Sequence, residues 1–174
     1  PILIENSGGK AIMEKTGHFN IKRAIKKHDA VLGGEMSGHI FINYDWYGFD
    51  DAVYTAAILA KVISDTGQTS SNVIEQFPKT YATPELNLDV DDVNKFKMVE
   101  KFKEQMQFPD AEFNTIDGVR VSIGSSWGLM RASNTSPKLV FRFEAENEED
   151  LMRIKNLFEY NLKNIFPKLN LDFS

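Results

Sequence analysis

The chain has 174 residues, 42% of them hydrophobic and 26% charged, which is enough for one ordinary domain or two small ones. Its 20 Lys and Arg residues against 25 Asp and Glu residues give a formal charge of −5, which excludes a broad basic surface for nucleic acid. The absence of cysteine excludes disulfides and thiolate metal sites, and no apolar run is long enough to span a membrane. We therefore expect a cytoplasmic protein that binds neither nucleic acid nor membranes.

The first half of the chain alternates predicted strands and helices, a pattern typical of an α/β domain. A strand is predicted over residues 11–16 and two short strands over residues 30–35 and 39–43. A helix is predicted between the strands at 11–16 and 30–35, because four residues recur at the spacing of one helical face: Ile21, Ala24, Ile25 and His28. A longer helix should begin at Asp50 and Asp51, whose carboxylates suit the positive end of a helix. Its expected buried residues are Ala52, Ala56, Leu59 and Ile63.

The pattern changes between residues 67 and 84, where prolines favour extended backbone, so we expect one domain over residues 1–79 and another over 80–174. The second domain's predicted elements are, in chain order, a strand over 85–90, a helix over 92–106, strands over 118–123, 128–132 and 139–145, and a helix after the N-cap Asn147. The first of these helices should bury Phe96, Val99, Phe102 and Met106. The second should bury Leu151, Ile154, Phe158 and Leu162. Closely spaced strands predict an α+β domain with an antiparallel sheet packed on helices.

The run from Gly33 to His39 carries a carboxylate, a hydroxyl and an imidazole close together, those of Glu35, Ser37 and His39. These groups accept and donate hydrogen bonds, and glycines let a ligand approach the backbone. The run therefore suits a polyol. The alternative is a tight hairpin whose polar side chains are only solvated.

A second polar run, from Arg131 to Pro137, lies between two predicted strands. A guanidinium can bind two phosphate oxygens, and nearby hydroxyls, an amide and backbone N–H groups supply further donors. The run is therefore a candidate anion site. The alternative is an ordinary polar turn closed by Pro137.

Both runs resemble loops of one protein family. Residues 35–39 are similar to the sugar-binding loop, and residues 131–135 to the phosphate-binding loop, of α-D-phosphohexomutases of the bacterial phosphomannomutase/phosphoglucomutase type. Other matching motifs follow in the same order: Lys15-Thr16-Gly17-His18, Trp46-Tyr47-Gly48-Phe49-Asp50-Asp51, Asp117-Gly118-Val119-Arg120 and Trp127-Gly128. The resemblance implies that residues 1–79 are an α/β partial domain, the C-terminal portion of the family's third domain. Residues 80–174 would be its fourth domain, with a TATA-binding-protein-like fold.

The resemblance also implies roles for individual residues. Glu35 and Ser37 would contact sugar hydroxyls, and His39 would lie near the reacting end and take part in proton transfer. His18 would lie near the substrate, whereas His28 matches no motif and is interpreted as structural. The phosphate that is not transferred would be held by Arg131, Ser133, Asn134 and Thr135.

The family interconverts hexose 1-phosphates and hexose 6-phosphates of glucose and mannose, through glucose or mannose 1,6-bisphosphate and a phosphoserine of the enzyme. Neither the family's phosphoserine loop nor its magnesium loop has a counterpart in the chain. The resemblance thus implies that the parent enzyme binds Mg²⁺ with ligands absent from this chain. The acidic run at residues 89–92 is interpreted as a solvated helix cap.

We accordingly expect the chain to begin inside the third domain, to end at the natural C-terminus and to be inactive alone. Its expected partners are hexose phosphates and the N-terminal domains of the same polypeptide. A partial α/β domain leaves a sheet edge and an apolar face uncovered, so self-association or marginal stability is also expected.

Three alternatives remain open at this point. The parent enzyme could be a phosphoglucosamine mutase, although Met36 stands where those enzymes usually carry Gln. The chain could instead be a non-catalytic phosphosugar-binding module. It could also be a structural α/β and α+β pair without a ligand.

Overall fold

The computed structural model describes residues 1–169, 171 and 173. The chain forms two compact units, Pro1–Pro78 and Lys79–Ser174. Within the described residues, no helix combines the length and apolar character needed to cross a membrane.

The first unit consists of a short antiparallel hairpin and helices. Its elements are, in chain order, α1 (Ile2–Asn6), α2 (His18–His28), β1 (Leu32–Gly34), β2 (Ile40–Ile42), α3 (Ala52–Thr66) and α4 (Ser70–Ile74). In the hairpin, Leu32 lies opposite Ile42. Asp51 is the N-cap of α3, and its side chain accepts a hydrogen bond from the backbone N–H of Tyr54 at 2.9 Å. The unit's small core contains the buried side chains of Ile25 and Phe41.

Three expectations for the first unit were wrong. Residues 11–16 form no strand, because the sheet of this unit pairs only β1 with β2. None of α3 is buried, and Leu59 on its expected inner face is 58% exposed. The half-buried residues of α3 lie mainly on another face, at Tyr54, Thr55 and Ile58, so the apolar spacing indicated the helix but not the face that packs. His28, expected on the apolar face of α2, is an exposed residue in the last turn of that helix.

The second unit is an antiparallel sheet packed on two helices, as the sequence predicted. Its elements are β3 (Tyr81–Ala82), β4 (Leu86–Asp89), α5 (Lys95–Gln105), β5 (Glu112–Asn114), β6 (Val119–Ile123), β7 (Ser126–Ala132), β8 (Lys138–Ala145) and α6 (Glu148–Ile165). The strand order is β3-β8-β7-β6-β5, and β4 also pairs with β8. The short strands β3 and β5 were not predicted.

Alternate residues of the central strands point into one aromatic-rich core. Fully buried members of that core include Phe102 on α5, Phe141 and Phe143 on β8, and Phe158 on α6. The predicted cap of α6 is confirmed, since Asn147 Oδ1 accepts the N–H of Asp150 at 2.8 Å. Phe96 was expected inside but is exposed, because it lies on the outer side of α5.

Two glycines of the recognised motifs have packing roles in this unit. At Gly118, where φ is +75°, a Cβ would lie 2.2 Å from the carbonyl oxygen of Met130. At Gly128, a Cβ would lie 2.5 Å from Cε2 of Phe158. Neither position can accept a larger side chain without displacing the backbone or the core.

Candidate functional site

The turn between β1 and β2 holds the carboxylate of Glu35 in place. The turn is closed by two backbone hydrogen bonds, from Gly38 N to Glu35 O at 3.0 Å and from Glu35 N to His39 O at 2.9 Å. The Glu35 side chain then accepts the backbone N–H of Gly17 at 2.7 Å and the hydroxyl of Ser37 at 3.3 Å. Because a carboxylate has about four acceptor positions, Glu35 keeps capacity for a ligand hydroxyl.

His39 is held by a carboxylate that sequence reasoning assigned only to a helix end. Its Nδ1 lies 2.7 Å from Oδ2 of Asp50, and Oδ1 of Asp50 accepts the backbone N–H of Ile40 at 3.3 Å. The two hydrogen bonds fix the carboxylate between the start of β2 and the start of α3. An isolated antiparallel bridge pairs Asp50 with Phe41, which places Asp50 beside His39.

His18, at the first turn of α2, reaches the same carboxylate. Its Nε2 lies 3.5 Å from Oδ2 of Asp50, and its ring meets the rings of His39 and Phe41 edge-on at centroid distances of 4.5 and 5.2 Å. Both imidazoles are 44% exposed and Asp50 is 25% exposed. The structure thus brings His18 and His39 together around Asp50, with Glu35 next to them through Gly17.

Asp50 is ionised at neutral pH. The hydrogen bond from His39 lowers the pKa of Asp50 below its usual value of 3.8, and this effect outweighs the loss of solvation, which raises it. An ionised carboxylate only accepts hydrogen bonds, so the Nδ1 of His39 carries the hydrogen. The lone pair of a neutral His39 is therefore at Nε2.

Two other residues of the Trp46–Asp51 motif, Trp46 and Asp51, have structural roles. The Trp46 indole donates to Oδ2 of Asp51 at 3.3 Å and stacks on Tyr54 with ring centroids 4.1 Å apart. These contacts support the first turn of α3. Of the two neighbouring carboxylates, Asp51 therefore caps the helix, whereas Asp50 contacts the histidines.

In the second unit, the loop between β7 and β8 is organised around the buried side chain of Ser133. Its Oγ accepts the backbone N–H groups of Thr135 at 3.3 Å and Ser136 at 3.2 Å. The exposed Asn134 and Thr135 lie at the tip of this loop. Ser133 is therefore a loop-shaping residue in this structure, and its predicted contact with phosphate stays a prediction.

Arg131 lies at the end of β7, on the sheet face that the helices do not cover. It pairs with Val140 of β8, and its neighbours Met130 and Ala132 point to the opposite, buried face. Within residues 1–169, 171 and 173, its guanidinium forms no ion pair or side-chain hydrogen bond. It is therefore available to an anion at the loop.

Lys95 supports the same loop and was missed by sequence reasoning. Although only 4% exposed, it donates to the carbonyl oxygen of Ser136 at 2.9 Å and pairs with Asp92 at 2.6 Å. Lys95 precedes Val99 by four residues and Phe102 by seven, so helical periodicity already placed it on the buried face of α5.

The acidic run at residues 89–92 does not fit a magnesium site. Asp91 accepts the N–H of Val93 at 3.1 Å, Asp92 pairs with Lys95, and Asp89 lies 3.8 Å from the ammonium of Lys138. In the described part of the chain, one group of three possible metal-ligating residues has its ligand atoms within 4.8 Å of one another. These residues are His18, His39 and Asp50. Two of the ligand atoms are imidazole nitrogens, whereas Mg²⁺ prefers oxygen ligands. No catalytic step in this chain is therefore assigned to magnesium.

Family models match both units. The phosphoglucomutase/phosphomannomutase alpha/beta/alpha domain III model matches residues 2–81, and the C-terminal domain model of the same family matches residues 85–159. Residues 35–39 lie within the first match and residues 131–135 within the second.

Individual relatives agree with these matches. A phosphomannomutase/phosphoglucomutase of Pseudomonas putida is 48% identical over 171 residues, which are 98% of this chain and 37% of the relative. A phosphoglucomutase of Neisseria gonorrhoeae is 45% identical over 158 residues, 90% of this chain and 34% of the relative. The chain thus spans little more than a third of the length of the curated relatives it matches.

A solved structure has the same fold. The crystal structure of a phosphoglucomutase/phosphomannomutase family protein from Burkholderia thailandensis matches with a TM-score of 0.88 and 39% identity, covering 98% of this chain and 36% of that one. Two domain models in sequence order, relatives of nearly half-identical sequence and a matching fold give one conclusion. The chain belongs to the phosphoglucomutase/phosphomannomutase family.

Proposed function

We propose that this chain supplies the sugar-hydroxyl and phosphate recognition of a phosphohexomutase that interconverts the 1-phosphates and 6-phosphates of glucose and mannose. The observation that carries the proposal is that each predicted loop lies within one matched domain and keeps polar groups available: Glu35 and His39 in the first unit, Arg131 in the second. Residues 1–79 would be part of the family's third domain. Residues 80–174 would be its whole fourth domain.

In the first unit, Glu35 and Ser37 would read hydroxyls shared by both sugars. A mutase of this kind binds its bisphosphate intermediate in two orientations, so that each end in turn meets the same serine, which has just given up its phosphoryl group or is about to accept one. The hydroxyls at C3 and C4 exchange places approximately when the sugar turns over, whereas glucose and mannose differ only at C2. Contacts at C3 and C4 would therefore serve both orientations and both sugars, and would reject a sugar altered at C4.

His39 would move a proton at Nε2. Asp50 holds the hydrogen on Nδ1, which leaves Nε2 able to accept the proton of an attacking sugar hydroxyl and to return it to a leaving oxygen. In the described part of the chain, no hydrogen bond engages Nε2 of His39. His18 would help position the substrate or the His39 ring.

In the second unit, Arg131 would bind the phosphate that is not transferred. Two of its N–H groups match two phosphate oxygens, and Asn134, Thr135 and their backbone N–H groups would add donors at the loop tip. Ser133 and Lys95 would hold the loop in shape from below.

The remaining catalytic parts would lie elsewhere in the protein. Phosphoryl transfer needs a nucleophile and a metal that neutralises developing charge, here a phosphoserine and Mg²⁺. We propose that other domains of the same polypeptide supply both, that glucose or mannose 1,6-bisphosphate is the intermediate, and that the reaction is cytoplasmic. The 174-residue chain alone would be inactive, and the exposed apolar residues of α3 support its proposed self-association.

A chimera tests the proposed function. The 171-residue matching segment of the Pseudomonas putida relative is replaced by this chain. The folded chimera should convert mannose 1-phosphate and glucose 1-phosphate to their 6-phosphates and should convert glucosamine 1-phosphate poorly. A folded but inactive chimera that still binds hexose phosphates would favour a non-catalytic binding module, and a preference for glucosamine 1-phosphate would favour the amino-sugar alternative.

A further inference from the structure

Two histidines and one carboxylate from three separate segments converge on one point of the first unit. His18 comes from the start of α2, His39 from the start of the second hairpin strand, and Asp50 from the residue before the cap of α3. We propose that His18, His39 and Asp50 form a binding site for a late first-row transition-metal ion such as Zn²⁺. This His18–His39–Asp50 cluster is distinct from the acidic run at residues 89–92.

The distances suit such an ion. In tetrahedral zinc sites, bond lengths of about 2.0–2.2 Å place neighbouring ligand atoms about 3.3 Å apart. Oδ2 of Asp50 lies 2.7 Å from Nδ1 of His39 and 3.5 Å from Nε2 of His18, so the two separations lie on either side of that value. All three ligand atoms lie within 4.8 Å of one another. Small rotations of partly exposed side chains complete the geometry.

Neighbouring groups also orient the ligating side chains. The backbone N–H of Ile40 donates to Oδ1 of Asp50, which orients the carboxylate and leaves Oδ2 facing the imidazoles. The ring of His18 lies edge-on against the buried ring of Phe41, which limits its rotation. On binding, the metal takes the place of the hydrogen between Nδ1 of His39 and Asp50, and neutral His39 then carries its hydrogen on Nε2.

The ligand types select the ion. Two imidazole nitrogens and one carboxylate favour Zn²⁺, Cu²⁺, Ni²⁺ or Co²⁺ over Mg²⁺ and Ca²⁺, which prefer all-oxygen sites. Three protein ligands leave a fourth position for water or another ligand oxygen. If His39 transfers protons as proposed above, an ion bound here occupies that group, so the site would make the enzyme sensitive to inhibition by zinc.

The test uses the complete 174-residue chain and does not depend on activity. Zn²⁺, Co²⁺ and Mg²⁺ are titrated by calorimetry, and Co²⁺ coordination is followed by its visible absorption. We expect one Zn²⁺ per chain, bound at least roughly tenfold more tightly than Mg²⁺. His18→Gln, His39→Gln and Asp50→Asn should each weaken Zn²⁺ binding by roughly tenfold or more, the range seen when a site loses a supporting group. The matched control is His28→Gln, since His28 is the only histidine of the sequence outside the cluster and should leave binding unchanged.

A measurement on the unaltered chain covers the case in which a variant does not fold. The three histidines give three sets of imidazole NMR signals. Zn²⁺ should shift the signals of His18 and His39 together at one equivalent and leave those of His28 in place. The proposal is overturned if Zn²⁺ does not bind saturably, if it shifts the His28 signals equally, or if His28→Gln weakens binding as much as the cluster variants.

Discussion

Asp50 joins His39 to the start of a helix through a hydrogen bond of 2.7 Å, whereas the next residue, Asp51, caps that helix. The two adjacent carboxylates thus have different roles, and only the first lies in the candidate site. Asp50 determines which nitrogen of His39 carries hydrogen. The proposed proton transfer and the proposed metal site both depend on this relationship.

Replacing Asp50 with Asn should change the tautomer of His39, because an amide no longer holds the Nδ1 hydrogen by charge. In the chimera, kcat should fall while KM for mannose 1-phosphate changes little. The loss should be smaller than that from His39→Gln, which removes a proton-transfer group of the kind that contributes about 10²–10⁴-fold. Imidazole ¹⁵N NMR of the 174-residue chain reads the tautomer directly. An unchanged tautomer in Asp50→Asn would contradict the assigned role of Asp50.

Acid should lower the stability of the first unit by protonating the carboxylate of Asp50. The hydrogen bond from His39 keeps the folded-state pKa of Asp50 below its usual 3.8. Ionised Asp50 therefore stabilises the fold above that pH, and its contribution is lost as the pH falls through the lowered pKa. Asp50→Asn should melt at a lower temperature than wild type near neutral pH, and the difference should shrink as the pH falls below 3.8. A difference that stays constant down to pH about 2 would show that the pKa of Asp50 is not coupled to folding.

Arg131→Ala should weaken phosphate binding to the 174-residue chain. Loss of a charge-assisted hydrogen-bond partner costs about 1.5–3 kcal/mol, which corresponds to roughly tenfold or more in affinity. An NMR titration with inorganic phosphate measures the effect, with signals of Asn134 and Thr135 as reporters. Arg153→Ala is the matched control, since Arg153 is an exposed residue of α6. Equal affinity of the two variants would show that the loop is an ordinary turn.

Lys95→Met should destabilise the second unit and loosen the phosphate loop. Methionine keeps the apolar stem but removes the ammonium, so the Ser136 carbonyl keeps only the N–H of Lys138. Asp92 also loses its ion-pair partner. Loss of a hydrogen bond from a charged group costs about 1.5–3 kcal/mol. Chemical denaturation should show a loss of that size, and phosphate affinity should fall with it. Lys97→Met, at an exposed position two residues along the same helix, should change neither quantity. Similar stabilities of the two variants would show that Lys95 does not stabilise the second unit.

Sequence patterns predicted most of the second unit because its elements bury one another. Val119 and Val121 on β6 and Phe141 and Phe143 on β8 stand two residues apart, so each pair lies on the buried face of its strand, which meets the helices. On α3 the apolar spacing indicated the face of Ala52, Ala56 and Leu59, which is exposed, whereas Tyr54, Thr55 and Ile58 are half-buried. Periodicity therefore predicted the buried face of the strands but not the packed face of α3.

The sequence predicted the loop residues of the candidate site but not the residues that hold them in place. Glu35, Ser37 and His39 stand close together in sequence, so a local motif reveals them. Asp50 becomes a partner of His39 only through the pairing of Phe41 with Asp50. Lys95 reaches Ser136 across 41 positions of sequence. Contacts of this range depend on tertiary packing and leave little trace in a local pattern.

The most direct test of the central claim is a comparison of kcat/KM for glucose, mannose and galactose 1-phosphates, measured on the chimera and on its Glu35→Gln and Ser37→Ala variants. We expect activity on glucose and mannose 1-phosphates and little activity on galactose 1-phosphate, which differs at C4. Both variants should lose activity equally on the glucose and mannose substrates. A variant that switches preference between glucose and mannose would show that the loop reads C2. That result would contradict the assignment of Glu35 and Ser37 to the shared hydroxyls.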